Sequence, residues 1–284
     1  MEGLFVGRST FDMVYACKEF PEEDTKVDAY HSYVSAGGPA LNAAITFSAL
    51  GGSASLYSEI GVGVFAEEVK AELAKFDVAL CDTASDQQHV LPATTTILHR
   101  GTRTIVSQAV TPAGHGNFEG RISPVRASIV LSDGNLPRLS KPILHWAKES
   151  KITTVLDGGS WKGWTEQLLT LIDVAIVSSR FLPPGISNTA DCLSWLAHRG
   201  IQYVAATNGP EPIRWLCQGR SGEIEPPTVD AVDTLGAGDV LHGAFCYYFS
   251  AGDDFILSLE RAATVATQAC TTWGPRGRAA SRDR

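Results

Sequence analysis

The chain has 284 residues, 44% hydrophobic and 19% charged, with a formal net charge of −8. That length gives one large α/β domain or two small ones, and the composition is that of an ordinary globular enzyme. The acidic balance, with no basic run beyond Arg276-Gly277-Arg278, argues against a nucleic-acid binder, and no apolar stretch reaches membrane-spanning length.

The start, Met1-Glu2-Gly3-Leu4-Phe5-Val6-Gly7, carries no basic leader and reads as a first strand, Leu4–Val6, stopped by Gly7. Val27–Val34 reads as a β-ribbon with no helical partner. Pro39–Leu50 is predicted helical, with Pro in its first turn and Gly51-Gly52 as its stop. Ser53–Tyr57 follows as a strand. Phe65–Phe76 follows as an amphipathic helix with Glu67, Glu68, Lys70, Glu72 and Lys75 on its wet side. Thr94–Val106 reads as a second ribbon turning at Arg100-Gly101-Thr102.

Beyond it, apolar strands at Ser128–Leu131, Thr153–Leu156, Val174–Val177 and Tyr203–Ala206 alternate with helical patterns at Ser140–Ser150, Trp164–Leu171 and Asp191–His198. An apolar run from Val240 to Ala251 reads as a further helix. This alternation predicts an α/β fold, a mostly parallel sheet with helices on both faces and ligands at the carboxyl ends of its strands. No repeat, linker or boundary divides the chain, so one domain over 1–284 is expected, with segments near 12–35 and 94–108 forming a small secondary sheet. The six cysteines lack C-x-x-C spacing and read as buried free thiols in a reducing compartment, hence a cytoplasmic protein.

The densest chemical signal is Asp233-Thr234-Leu235-Gly236-Ala237-Gly238-Asp239 at the mouth of the Val240 helix. Small residues there let backbone amides approach an anion, and the first turn of a helix has amides without internal partners. A carboxylate beside them can take the proton of an incoming hydroxyl, which is what phosphoryl transfer to an alcohol requires. The bland reading is a Gly-rich turn capped by Asp239. A second signal, Ala36-Gly37-Gly38-Pro39-Ala40-Leu41-Asn42, opens the first helix; it permits close approach of a hydroxyl-rich ligand, with Asn42 offering donor and acceptor. Alone it is only a helix start.

In this order the two motifs resemble the N-terminal Gly-Gly motif and the C-terminal signature of the PfkB (ribokinase-like) carbohydrate kinases. Gly101-Thr102-Arg103-Thr104-Ile105 is similar to the turn in that family's lid, and Asp12 stands where the family usually has a sugar-binding Asp. The likeness runs from about Gly3 to Gly277. It implies a ribokinase-like fold, a central mostly parallel sheet flanked by helices with a small β-sheet lid, and ATP with Mg²⁺ as phosphoryl donor. It further implies Asp239 as base, with the amides of Gly236, Ala237 and Gly238 as anion hole. Asp12, Gly37, Gly38 and Asn42 would grip sugar hydroxyls, and Thr234, Thr207 and Gly209 would lie on the nucleotide side. Some members bind a monovalent cation beside the anion hole, and Asp233 and Leu235 occupy the matching positions for such an ion, K⁺ for instance.

The chain also departs from the pattern. The family's Asn-x-x-Glu, which helps arrange Mg²⁺ and phosphates, is replaced by Val177-Ser178-Ser179-Arg180-Phe181-Leu182, which leaves metal organisation to water and other carboxylates such as Asp157. The usual Gly-Asp-Asp turn is Gly61-Val62-Gly63-Val64, and no closing helix follows Gly274-Pro275-Arg276-Gly277. Several residues keep two readings. Asp133 and Asp157 follow strands and either touch ligand or make Asx turns. Arg103 meets an anionic sugar substituent or a lid ion pair, and Arg180 meets phosphate or only solvent. His242, Trp161 and Trp164 read first as packing residues.

The expected function is therefore an ATP-dependent sugar kinase acting on a monosaccharide hydroxyl, a ketose or ketose derivative among the acceptors. Two alternatives stand beside it: a nucleoside kinase, with Tyr15, Tyr30 and Tyr33 available near the lid, and a catalytically silent sugar-binding or scaffold relative. The expected partners are sugar and ATP, without nucleic acid or membrane, and with a homodimer formed through the lid's exposed β-edge.

Overall fold

A computed structural model describes residues 1–88, 91–99, 102–108 and 126–276. Arg100, Gly101 and Gly277, parts of two expected turns, lie outside the described residues. Strict two-residue alternation in the strands sets the architecture. Phe5, Ile129, Leu131, Val155, Val174, Ile176 and Ala205 point to one apolar core, while Leu4, Val6, Val130, Leu156, Ala175, Val177, Val204 and Ala206 point to another. A sheet buried on both faces must be covered by helices on both, and its strands read as continuous apolar runs.

The first half contributes β1 (Glu2–Val6), β2 (Thr10–Ala16), β3 (His31–Gly37), α1 (Pro39–Ala49), β4 (Ser53–Ser58), α2 (Val64–Lys75), β5 (Val78–Asp82), β6 (Ala93–His99) and β7 (Thr102–Ser107). The second contributes β8 (Ile129–Ser132), α3 (Pro137–Glu149), β9 (Thr153–Gly158), α4 (Glu166–Leu169), β10 (Val174–Ser178), α5 (Thr189–His198) and β11 (Tyr203–Asn208). It ends with β12 (Glu211–Cys217), β13 (Arg220–Ile224), α6 (Ala237–Ser250) and α7 (Phe255–Ala269). The nine-stranded sheet runs β13-β12-β11-β10-β9-β8-β1-β4-β5, parallel from β11 to β5 and closed by the antiparallel hairpin β12–β13. Residues of α1, α2, α6 and α7 join the first core and those of α3, α4 and α5 the second.

Strand order reverses between β1 and β8, which makes the carboxyl ends of these strands the natural crevice. A four-stranded second sheet, β3-β2-β6-β7, is separate from the large one.

Some expectations need correction. The ribbon expected at Val27–Val34 is a strand only from His31, and it continues to Gly37. Its partner β2 was not legible as a strand, and Trp164–Leu171 is α-helical only over Glu166–Leu169. β5, the β12–β13 hairpin and α7 are additional elements. All six cysteines are free thiols, and among the described residues no helix is long and apolar enough to cross a membrane.

Candidate active site

The loop entering α6 is fixed from outside. Val232 and Asp233 donate their amides to the Cys270 carbonyl at 2.8 and 3.2 Å. Asp233 is buried; its Oδ1 accepts the Leu235 amide at 2.8 Å, and its Oδ2 accepts Tyr33 Oη–H at 2.6 Å and the Gly274 amide at 3.0 Å. Held by three donors, this carboxylate fits a latch between loop, second sheet and C-terminal segment better than a cation ligand.

Gly236 is the N-cap of α6, so Asp239 does not cap the helix; it lies inside the first turn. Gly236 adopts φ +75°, and a Cβ there would come within 2.7 Å of Pro275 Cβ, so both conformation and space require glycine. The first helical hydrogen bond is Val240 N–H to Gly236 O at 2.9 Å, and the amides of Ala237, Gly238 and Asp239 precede that ladder. Ala237 makes only a long 3.3 Å bond to the Thr234 carbonyl, and a Cβ on Gly238 would meet open space. The helix mouth thus leaves amides outside the helical ladder beside open space at Gly238, the arrangement that suits phosphate.

Asp239 accepts Asn42 Nδ2–H at 2.6 Å. Burial, reinforced by the charge of Asp157, raises its pKa to about 7, against the opposing pull of Asn42, His242 and Arg103. Asn42 sits in the first turn of α1, its amide bonded to the Gly38 carbonyl at 2.9 Å. Gly38 is at φ +101°, and any Cβ on it would strike the Arg8 carbonyl. A Cβ on Gly37 would strike the Asp12 carboxylate, so the Gly-Gly pair makes room for Asp12 and for the turn after β1. Asp12 Oδ1 accepts the hydroxyls of Thr10 and Thr94 at 2.6 and 2.7 Å, while burial holds its pKa above the ordinary carboxylate value. Arg103, on the same face of the second sheet, reaches the Thr234 carbonyl with Nη1 at 3.1 Å.

Behind Asp239 lie two buried groups. Asp157 Oδ2 has no hydrogen-bond partner and lies 3.4 Å from His242 Nδ1. The histidine's nitrogens also face the carbonyls of Gly238 at 2.6 Å and Ile176 at 3.0 Å, which ties α6 to β10. Asp133 makes the Asx turn: Oδ1 accepts the Asn135 amide and Oδ2 the Arg8 amide, each at 2.8 Å. Both oxygens therefore shape the β1 and β8 ends, which does not favour the sugar-contact reading. Lys162 carries a lowered pKa from burial, offset by the charges of Asp133 and Asp157.

Thr207 and Gly209 lie apart from this group, at the β11–β12 turn. The Thr207 carbonyl accepts the Ser179 amide at 2.9 Å, and Gly209 at φ +58° has open space above it. In the segment that replaces Asn-x-x-Glu, Ser178 Oγ–H donates to the Gly159 carbonyl at 2.6 Å and Phe181 is buried against Trp161. Mg²⁺ takes one or two carboxylates and completes its shell with phosphates and water. The unpartnered, buried Asp157 Oδ2 fits that modest requirement, whereas Ser178 and Phe181 supply nothing to it.

Glu72, expected on a wet helix face, instead turns inward: its Oε2 accepts the Ala36 amide at 2.6 Å and its Oε1 accepts Arg276 Nε–H at 2.5 Å. Arg276 Nη1–H also reaches Asn42 Oδ1 at 2.6 Å. Neither residue, nor the bond from Tyr33 to Asp233, was legible as part of the site, because their partners lie some 200 residues away in sequence.

Comparison with known proteins bears on the family and the fold. Over 231 residues the chain is 27% identical to a ribokinase of Staphylococcus aureus (strain COL), covering 74% of this chain and 73% of the relative. Ribokinase from Thermotoga maritima has the same fold at a TM-score of 0.78, with 18% identity and coverage of 97% and 94% of the two chains. Adenosine kinase from Sinorhizobium meliloti has it at 0.83, with 15% identity and coverage of 99% and 98%. The model of the pfkB family carbohydrate kinases matches residues 126–280, more than half of the sequence. With its ribokinase-like fold and an Asp at the mouth of a glycine-started helix, the chain belongs to the pfkB family of carbohydrate kinases.

Proposed function

We propose that the protein transfers the γ-phosphoryl group of ATP to a hydroxyl of a monosaccharide, with a ketose or ketose derivative as the favoured acceptor class. The observation that carries this reading is Asp239, raised to a pKa of about 7 and held by Asn42 beside the free amides that open α6. A base near neutrality can accept the acceptor's proton as the new P–O bond forms, then release it. The amides of Gly236, Ala237 and Gly238 would face the transferring phosphoryl oxygens, where charge is stabilised by preorganised donors. Asp12 and the Gly37-Gly38 turn would orient the sugar, and Arg103 would bring positive charge from the lid. Mg²⁺ arriving with ATP supplies charge neutralisation between the phosphates, with Asp157 the carboxylate suited to hold it. Thr207, Gly209 and Thr234 would flank the nucleotide.

A polar acceptor is favoured over a nucleoside. Tyr33 is engaged by Asp233, and Tyr15 pairs across the sheet with Ser32 and Ile97, on the face opposite Tyr33. Tyr30 packs edge-on against Trp273. A silent relative has no use for a carboxylic acid tuned to neutrality, which counts against the scaffold reading. Residues Val34, Met13, Thr95 and Val106 stand in cross-strand register on that opposite face, with Val34 63% and Val106 66% exposed. Val34 and Val106 lie on the edge strands β3 and β7, through which we place a lid-to-lid homodimer. The cytoplasm is the compartment that fits six free thiols and an ATP requirement.

ADP release measured across ketoses, pentoses and nucleosides tests the acceptor class. Asp239→Asn should lower turnover by about 10²–10⁴-fold while acceptor binding persists. Normal turnover in that variant removes the base from the account.

A further inference from the structure

Asn42 Nδ2 faces the catalytic carboxylate, yet nothing in α1 itself decides which end of that amide points there. An Asn side chain presents an acceptor and a donor of nearly the same shape, and only its partners choose between them. The partner on its Oδ1 is Arg276, a residue beyond the last helix and outside both sequence motifs.

We infer that Arg276 is a positioning residue: it locks the Asn42 amide so that its NH₂ is presented to Asp239. This rests on the reading of Asp239 as base. The side chain of Arg276 is only 11% exposed and donates three bonds to three different elements. Nε goes to Glu72 of α2 at 2.5 Å, Nη1 to Asn42 of α1 at 2.6 Å, and Nη2 to the Ala36 carbonyl of β3 at 2.5 Å. A guanidinium is a donor only and cannot adapt to a flipped amide. Turning Asn42 over would set NH₂ against the guanidinium and its oxygen against the Asp239 carboxylate, two repulsive contacts where there are now two charge-assisted bonds.

The lock is itself anchored. Glu72 pins the guanidinium and accepts the Ala36 amide with its other oxygen. The backbone leading to Arg276 is fixed to the anion-hole loop, through the Gly274 amide on Asp233 and through Pro275 against Gly236. The loop that holds phosphate and the amide that holds the base are thus referenced to one segment, 270–276. Trp273 of that segment stacks on His31 of β3 at 4.2 Å, which brings the lid strand into the same assembly.

A double-mutant cycle between Arg276 and Asn42 tests this, read as kcat and as KM for ATP, with the thermal midpoint measured alongside. Arg276→Gln should lower kcat by roughly tenfold or more with KM for ATP unchanged, and should have less than about a twofold effect once Asn42→Ala is present. Arg276→Lys keeps the charge opposite Glu72 without the planar fork, so it should restore the midpoint but not kcat. Equal losses in both backgrounds, or full recovery of kcat by Arg276→Lys, would show that the residue only braces the fold and would overturn the inference. Asp239→Asn in the same assay separates the two claims. If it retains turnover, the base reading falls; if it is inactive while the cycle is additive, only the role of Arg276 falls.

Discussion

Turnover should titrate with the protonation of Asp239, and Asn42→Ala should move that titration upward. Burial is the largest influence on the acid, the negative charge of Asp157 adds to it, and together they bring it to about 7. The base is then half ionised at neutrality and about one-tenth ionised a pH unit lower, so kcat should fall about tenfold per unit on the acid side. The Asn42 bond at 2.6 Å stabilises the ionised form. Hydrogen bonds to charged groups contribute about 1.5–3 kcal/mol, and one pH unit corresponds to about 1.36 kcal/mol. Removing the donor should therefore raise the acid limb by about one to two pH units.

The assay is coupled ADP release between pH 5 and 9, with acceptor and ATP saturating at every point. A wild-type profile still flat at pH 5, as an ordinary carboxylate near 4 would give, would refute the reasoning, because burial would then not govern the site. So would an Asn42→Ala limb that stayed in place or moved down. Arg103→Ala should shift the limb in the same direction but less, since its charge acts from an exposed strand and is screened by salt.

Three further outcomes follow from the same geometry. Because the folded-state pKa of Asp239 lies above the ordinary value of 3.8, the stability linked to its protonated form is complete below about 4 and is lost as pH rises through about 7. Asp239→Asn should accordingly melt higher than wild type at pH 8, by a few kcal/mol of stability, with the gap narrowing toward pH 4; thermal denaturation at both pH values reads it, and a gap that widens toward acid would contradict the sign. Gly236→Ala forces a side chain into φ +75° and against Pro275, so it should lose about 2 kcal/mol in urea denaturation and more than its share of kcat. Val34→Lys should shift sedimentation from dimer to monomer without changing kcat, and a wild-type monomer at all concentrations would remove the lid contact.

The parts of the fold legible in the sequence are those whose signal is local. Strands β8 to β11 are buried on both faces and read as short apolar runs, and α1 announces itself by Gly38, Pro39 and its Gly51-Gly52 stop. β12 and β13 were hidden because they form an edge hairpin with Pro212 near its start and exposed Arg220 and Ser221, so no apolar pattern accumulates. α7 has a clear apolar face at Phe255, Leu259, Ala262, Ala263 and Ala266 and a cap from Asp254, whose side chain accepts the Leu257 amide at 2.9 Å, so its signals are local and legible although the sequence reading assigned no helix there. β2 is half buried, and its residues Asp12 and Thr10 looked like loop polarity until paired with Thr94 across the second sheet. In the site, the two glycine motifs carried their own evidence, since positive φ and close approach demand glycine whatever the neighbours are. Glu72 and Tyr33 carried none, because a charged or aromatic residue on an amphipathic element looks alike whether it faces water or a loop, and Arg276, beyond the last helix, reads as an ordinary surface arginine.

That asymmetry bears on what the family signature means physically. Within Asp233 to Asp239, each residue that the loop geometry constrains has one duty: Asp233 latches the loop, Thr234 offers a carbonyl, Gly236 makes the left-handed turn, Gly238 leaves room, and on the proposed reading Asp239 is the base. None of these duties identifies the acceptor, because each concerns phosphate or the proton. Residues that reach the site from elsewhere have other duties: Arg276 holds Asn42, and Tyr33 reaches Asp233. Acceptor preference should consequently respond to changes at Asp12 and Arg103 far more than to changes within the signature or at Arg276, where substitution lowers turnover for every acceptor alike.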